Sequence, residues 1–145
     1  MSKIHFEKIF SDDFEIKSIL AKMTDFESHT KFMPAQLTSV KILKNNDDGI
    51  TTEETISFKT IIKKTIIQQT LHKKSTNSLN SKILSGPAKN TEILTRFEEN
   101  EGKIKVLVDV NLKLSQPAKI LEPLIKEYYK SYFSAFLNRL ASSTI

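Results

Sequence analysis

Two ionisable side chains, Glu54 and His72, fall in segments predicted to be β-strands, where they could perform acid–base chemistry. Glu54 alternates with Ile56 and Phe58, which points it inward if the strand includes residue 54. A buried carboxylate needs a partner, so Glu54 would be a polar anchor or a base with a raised pKa. If the strand begins at Thr55 or carries a bulge, Glu54 lies at the rim in water. We favour the rim, because sequence defines strand ends poorly.

His72 shares one strand face with Gln68 and Thr70, and in one register this polar line enters the interior. In the alternative register Ile67, Gln69 and Leu71 face inward and His72 does not. A catalytic histidine needs an orienting acid and a substrate within hydrogen-bond reach, and the sequence shows neither. We therefore expect His72 at the rim or on the surface, and we assign no catalytic residue.

Composition excludes several other kinds of chemistry. The chain has no cysteine, so disulfides, thiolate zinc sites and cysteine nucleophiles are excluded. His5, His29 and His72 share no metal-ligand spacing, which predicts no metal site. Three glycines form no phosphate-binding loop, so a nucleotide enzyme is not expected. We expect no cofactor.

The net charge of +5 comes from lysines spread along all 145 residues. Nucleic-acid binding needs clustered basic residues with interleaved aromatic ones, so we expect no nucleic-acid partner. The same charge allows transient contact with anionic membranes. No run is long and apolar enough to span a bilayer, and the first ten residues do not form a signal peptide. We expect a cytoplasmic protein without an integral membrane segment.

The N-terminal region predicts one strand and two short helices. Residues 3–9 alternate apolar and polar side chains, as a half-buried strand does. Ile16, Ile19, Leu20 and Met23 then recur on one helical face. A second short helix covers residues 26–32, and Pro34 cannot continue it.

Six further strands follow from residue 37. A turn at 45–49 separates the first two, and Gly86-Pro87 and the tight loop 100–102 separate later ones. Adjacent isoleucine pairs at 61–62 and 66–67 break the alternation, which predicts a bulge or strong twist between residues 61 and 74. The last strand, residues 104–114, has one wholly apolar face.

Residues 118–142 carry a broad apolar stripe of helical period, and Pro123 either opens the main helix after a short turn or kinks it. A sheet with one apolar face needs cover, and this helix supplies it. The element order therefore predicts an α+β fold, in which a curved seven-stranded antiparallel sheet wraps a long C-terminal helix. We find no linker or repeat, and expect one domain over residues 1–145.

This order resembles the START-like, or helix-grip, superfamily (SRPBCC). The local likeness is to its polyketide cyclase and coenzyme Q-binding branch, and it lies in Leu20, Asp25-Phe26, Phe32-Met33-Pro34, residues 39–42 and Gly86-Pro87-Ala88. The resemblance implies a cavity between the sheet and the C-terminal helix. Superfamily members use that cavity for sterols, phospholipids, quinones, polyketides or plant hormones.

We expect eight residues to form the wall of this cavity: Ile56, Phe58, Val106, Val108, Val110, Tyr128, Tyr132 and Phe136. Glu54 and His72 are added as possible polar contacts with a ligand. Aromatic residues at helical spacing also pack as ordinary core, so the stripe alone does not establish a cavity.

The entrance is expected beside Phe32 and Met33 on one side and Gly86 and Pro87 on the other. Phe32 and Met33 offer flexible apolar surface, and the segment from Gly86 offers a mobile backbone. The alternatives are that Phe32 and Met33 pack the helix pair onto the sheet, and that Gly86-Pro87 is only a turn.

Our first functional hypothesis is a binding or transfer domain for a hydrophobic small molecule or lipid. The second is a polyketide cyclase or dehydratase, with Glu54 or His72 as acid or base. The third is a protein-interaction module of the ribosome-associated type.

Overall fold

The computed structural model describes residues 2–11, 14–58 and 64–142. Seven strands form one antiparallel sheet in the order β1-β7-β6-β5-β4-β3-β2. The strands are β1 Ser2–Phe10, β2 Leu37–Asn46, β3 Gly49–Phe58, β4 Lys64–Lys74, β5 Ser78–Ile83, β6 Glu92–Asn100 and β7 Lys103–Leu112. The predicted curved antiparallel sheet is confirmed.

The helices follow the predicted order. Helix α1 spans Ile16–Met23, and a 3₁₀ helix covers Phe26–Lys31. A second 3₁₀ helix, Gln116–Leu121, leads directly into helix α2, Glu122–Ser142. Of the two alternatives for Pro123, the structure shows the first: the proline lies in the first turn of α2, where its missing N–H breaks no helical hydrogen bond.

The alternation of β7 builds the best-packed part of the core. Ile104, Val106, Val108, Val110 and Leu112 are all at most 4% exposed. Strand β1 lies beside β7, and its Phe6, which pairs with Val108, contacts Phe133 of α2 with ring centroids 5.5 Å apart. Helix α2 therefore packs closely on the β1–β7 half of the sheet.

The predicted irregularity between residues 61 and 74 is not found in the described part of that segment. Strand β4 pairs with β3 in continuous register from Lys64 to His72, with Ile66 buried and Ile67 exposed on opposite faces. The pair 61–62 lies outside the described residues. The register shifts occur instead in the edge strand β2, between Leu37 and Ser39 and between Ile42 and Lys44. Bulges at an edge hinder pairing with another chain.

No helix among the described residues is long and apolar enough to cross a membrane.

Candidate functional site

A cavity of about 90 Å³ lies between the concave face of the sheet and α2. Strands β2 to β6 supply one side of it and α2 the other, while Met23, Phe26 and His29 close it from the α1 and 3₁₀ segment. Its two long sides differ in chemistry. We call them the polar wall and the aromatic wall.

The polar wall is a patch of side chains on three neighbouring strands: Thr52 and Glu54 on β3, Gln68, Thr70 and His72 on β4, and Ser81 on β5. Antiparallel pairing brings them together, because Glu54 lies opposite Gln68, Thr52 opposite Thr70, and His72 opposite Ser81. Cross-strand neighbours on one face are close enough for side-chain contact. The polar wall is thus produced by the pairing register of β3, β4 and β5, and not by a local sequence motif.

Glu54 accepts three hydrogen bonds. Thr70 Oγ1 donates to Oε1 at 2.5 Å, Gln68 Nε2 donates to the same oxygen at 3.2 Å, and Thr52 Oγ1 donates to Oε2 at 2.7 Å. Burial raises the pKa of Glu54, and the three donors partly oppose the rise by stabilising the carboxylate. A carboxylate also has about four lone-pair sites, so Glu54 retains acceptor capacity for a ligand.

His72 continues this network. Its Nε2 lies 2.9 Å from Thr52 Oγ1, and its Nδ1 lies 2.6 Å from Ser81 Oγ. The Thr52 hydroxyl gives its one proton to Glu54, so the Nε2–H of His72 must donate to Thr52 and Nδ1 must accept from Ser81. Burial lowers the pKa of His72 to about 3, with a smaller contribution from His29. The ring is neutral and locked in one tautomer.

The aromatic wall lies on α2: Tyr128, Tyr129, Tyr132, Phe133 and Phe136. Tyr128 and Tyr132 stack with ring centroids 6.0 Å apart, and burial raises the pKa of both phenols well above the usual value. These tyrosines therefore stay protonated and present hydroxyl groups beside apolar ring faces.

His29 joins the 3₁₀ helix to this wall. Its Nδ1 lies 2.7 Å from the Tyr132 hydroxyl, and its ring meets Phe136 edge-on at 4.9 Å. Burial lowers the pKa of His29 to about 4, although the nearby carbonyls of Lys22 and Met23 oppose this. Its Nε2 is buried, and no described residue forms a hydrogen bond of normal geometry with it.

Half of the eight expected wall residues line the cavity: Ile56, Tyr128, Tyr132 and Phe136. Phe58 lies beside a separate pocket of about 10 Å³. Val106, Val108 and Val110 were wrongly placed at the wall. They are buried in the β1–β7 half, where Phe6 and α2 fill the interior. Whether any of these residues contacts a ligand stays a prediction.

The expected rim position of Glu54 was wrong, since its side chain lines the cavity. Strand β3 begins at Gly49, so Glu54 lies within the strand and faces inward, as Ile56 does two positions later. His72 also lines the cavity, at the end where the cavity meets a surface cleft, which agrees with its expected position at the rim. Sequence reasoning passed over Thr52 and Ser81, although each lies two residues from an inward-facing neighbour and could have been found by alternation. Nothing in the sequence indicated that Phe26 and His29 reach the cavity.

The four expected entrance residues do not line the cavity. Met33 is buried, and Phe32 packs on Phe136 at 4.7 Å, so both pack the helical segment against the core. Gly86 has φ +93° and lies against the backbone of β4, as a turn does. Pro87 borders the small pocket near Phe58. That a ligand passes them stays a prediction.

Within the described ranges, no group of three or more histidine, aspartate or glutamate side chains is arranged to hold a metal ion. His5 is exposed and bonds Asp109 and Glu7 on the outer face of the sheet.

Residues 14–141 match the family described as "Polyketide cyclase / dehydrase and lipid transport". The chain belongs to this family. Polyketides and lipids are largely apolar, so membership indicates hydrophobic-ligand binding at the level of class. The resemblance to the START-like superfamily is thereby confirmed, whereas the coenzyme Q-binding part of it stays a prediction. A search of curated proteins finds no match.

Solved structures show the same fold at low sequence identity. A START superfamily protein from Mycobacterium smegmatis aligns with TM-score 0.72 and 13% identity, over 94% of this chain and 95% of that one. The protein TTHA0849 from Thermus thermophilus gives 0.69 and 12%, over 99% and 100%. The di-domain ARO/CYC StfQ from the steffimycin biosynthetic pathway gives 0.65 and 8%, over 93% of this chain and 43% of that one.

Proposed function

We propose that this chain is a binding or transfer domain for a small hydrophobic molecule or lipid that carries hydrogen-bonding groups along one edge. The two unlike walls of the cavity support this proposal. Rings of α2 favour a flat apolar face, and Glu54, Thr70 and their neighbours favour hydroxyl or carbonyl groups on the opposite side. A plain hydrocarbon would leave the remaining acceptor capacity of Glu54 unused.

Size restricts the ligand further. The cavity of about 90 Å³ is smaller than the roughly 300–1,000 Å³ of common small-molecule pockets. A compact ring compound therefore fits this description better than a long acyl chain. Any larger ligand requires α2 or the 3₁₀ helix to move away from the sheet.

A matched pair of probes tests the chemical class. Phenol and toluene have nearly the same shape and differ in one hydroxyl group. A purely apolar cavity prefers toluene, because burying an unpaired hydroxyl is unfavourable. We expect the wild-type protein to bind phenol at least as tightly as toluene in an NMR titration, because the polar wall can pair with the hydroxyl.

Glu54→Gln is expected to reduce the preference for phenol, since it removes the charged acceptor. Glu53→Gln is the matched control, because Glu53 is the adjacent residue of β3 and does not line the cavity. A stronger affinity for toluene than for phenol, or equal effects of the two substitutions, would contradict the proposed ligand class.

A polyketide cyclase or dehydratase activity is the second candidate, favoured by the hydrogen-bonded line from Glu54 through Thr52 to His72. Such a line can hold a base and an acid in one cavity. Loss of water from a β-hydroxy aryl ketone would test it. For an enzyme, Glu54→Gln and His72→Asn abolish turnover and weaken probe binding only modestly. For a carrier, the wild-type protein itself shows no turnover of this compound.

Three broader expectations remain part of the proposal: a single ligand-binding domain over residues 1–145, a cytoplasmic location and transient contact with membranes during transfer. A protein-interaction role remains the third hypothesis. Liposome flotation with anionic vesicles tests the membrane contact, and salt should weaken it, because the attraction from a net charge of +5 is electrostatic.

A further inference from the structure

A surface cleft of about 590 Å³ lies outside the cavity, at the end of the sheet where the β2–β3 hairpin and the β4–β5 turn meet the segment after α1. Thr24 and Phe26 form one side of it. Residues 45–50 of the hairpin and residues 72–74 and 79 of the sheet form the other. Gly86 and Pro87 lie at the opposite ends of the strands, because β4 and β5 run between the two places.

Three residues line both this cleft and the cavity: Phe26, His72 and Leu79. We call them the partition. Phe26 stacks on the His72 ring with centroids 4.0 Å apart and planes inclined by 23°. Phe26 is 4% exposed and Leu79 is 6% exposed, whereas His72 is half-buried, and together the three side chains separate the cavity from the cleft. Because the same side chains face both spaces, it is one side chain thick.

We propose that the cleft is the port of the cavity and that Phe26 is the side chain that moves to open it. The sheet side of the partition is held firmly, since both ring nitrogens of His72 are hydrogen-bonded and Leu79 lies in paired strand β5. Phe26 starts a six-residue 3₁₀ helix that has no side-chain cap. Short 3₁₀ helices have poor hydrogen-bond geometry, so this is the side that can shift.

A port at this position also leads directly to the polar wall of the cavity. From the partition, side chains of alternating β4 positions lead inward from His72 to Thr70 and then Gln68, beside Glu54. A ligand entering here passes polar groups along one edge throughout its path. This inference rests on the proposed function for its biological meaning, but the opening itself can be measured without any ligand.

The absence of native cysteine makes a thiol-trapping experiment direct. Thr95→Cys on β6 places one thiol inside the cavity without touching the partition, and methyl methanethiosulfonate modifies it faster when the interior opens. We expect Phe26→Ala to raise the modification rate, followed by mass spectrometry, about tenfold or more, because it raises the population of the locally open state. Phe32→Ala is the matched control and should change the rate less than about twofold.

A second thiol separates local from global opening. Val108→Cys lies in the filled half of the core, outside both cavity and cleft, and its slow modification should stay unchanged in the Phe26→Ala background. If Phe26→Ala prevents folding, Leu79→Ala opens the same partition and takes its place, with the same expected acceleration.

The port is wrong if Phe32→Ala accelerates modification of Thr95→Cys and the partition variants do not. It is also wrong if the partition variants accelerate both thiols equally, because that is global unfolding. Failure of every small molecule to bind would reject the proposed function but would leave the trapping rates, and so the port, unaffected.

Discussion

At the scale of single residues, the buried network around Glu54 carries most of the site's chemistry. Thr52 links the carboxylate to His72, and Ser81 completes the line on the next strand. The alternation of residue types along a strand could indicate that Glu54 and His72 each lie on the same face as the residues two positions away. It could not choose the register, because the partners that stabilise an inward carboxylate belong to a different strand.

The network predicts the tautomer of His72. With Thr52 donating to Glu54 and Ser81 donating to Nδ1, the proton of the neutral ring lies on Nε2. Long-range ¹H–¹⁵N correlation spectra at pH 7 should show the Nε2–H form. Thr52→Val removes the hydroxyl that joins Glu54 to His72, so it should weaken the preference for the Nε2–H tautomer. A wild-type ring protonated on Nδ1 would contradict the hydrogen-bond directions assigned here.

The burial of His29 predicts that the folded protein loses stability in acid. Its folded pKa of about 4 lies below the ordinary 6.5, so the unfolded chain binds the extra proton between these values. Stability is therefore lost as pH falls from about 6.5 toward 4, by roughly 2 kcal/mol between pH 7 and pH 5. His72 acts in the same direction, and Glu54, whose pKa is raised, acts in the opposite one.

Urea unfolding at pH 7 and pH 5 measures this loss. His29→Gln should reduce it. His5→Gln is the matched control, because His5 is exposed and its bonds to Glu7 and Asp109 raise its pKa, so removing it should not reduce the loss. An unchanged pH dependence in His29→Gln would contradict the assigned burial.

At the scale of elements, the succession of strands and helices along the chain and the role of α2 as cover were predictable, because β7 alternates without interruption and the helical stripe is long. The lateral position of α2 was not predictable. It depends on Phe6 meeting Phe133, a contact between the first strand and the last helix. This contact fills the interior above Val106, Val108 and Val110 and moves the cavity toward β3–β5.

Phe136 is expected to be a main support of α2 and the 3₁₀ helix. It is 1% exposed and contacts His29, Phe32 and Tyr132. Phe136→Ala should reduce the free energy of unfolding by about 3–5 kcal/mol, as for other buried phenylalanines. Urea unfolding measures this loss of stability, with Lys130→Ala, a change at an exposed residue of α2, as the control. Equal stability of the two variants would mean that α2 is held elsewhere.

At the scale of the whole molecule, the fold forms a cavity that is polar on the sheet side and aromatic on the helix side. The family and its fold account for the existence of such a space. The particular polar wall depends on this chain's own residues, and no single-sequence pattern gave the cavity's volume, because volume is the small difference between an enclosed interior and the side chains that fill it.

The central claim is that this cavity holds a small molecule. Native mass spectrometry of the protein purified from its own cells tests it most directly, with Tyr132→Trp as the variant, because a larger side chain on the aromatic wall narrows the space. We predict that a small ring compound with hydroxyl or carbonyl groups on one edge is bound to the wild-type chain and is lost from folded Tyr132→Trp. A bare wild-type mass, or the same compound retained by the variant, would contradict the claim.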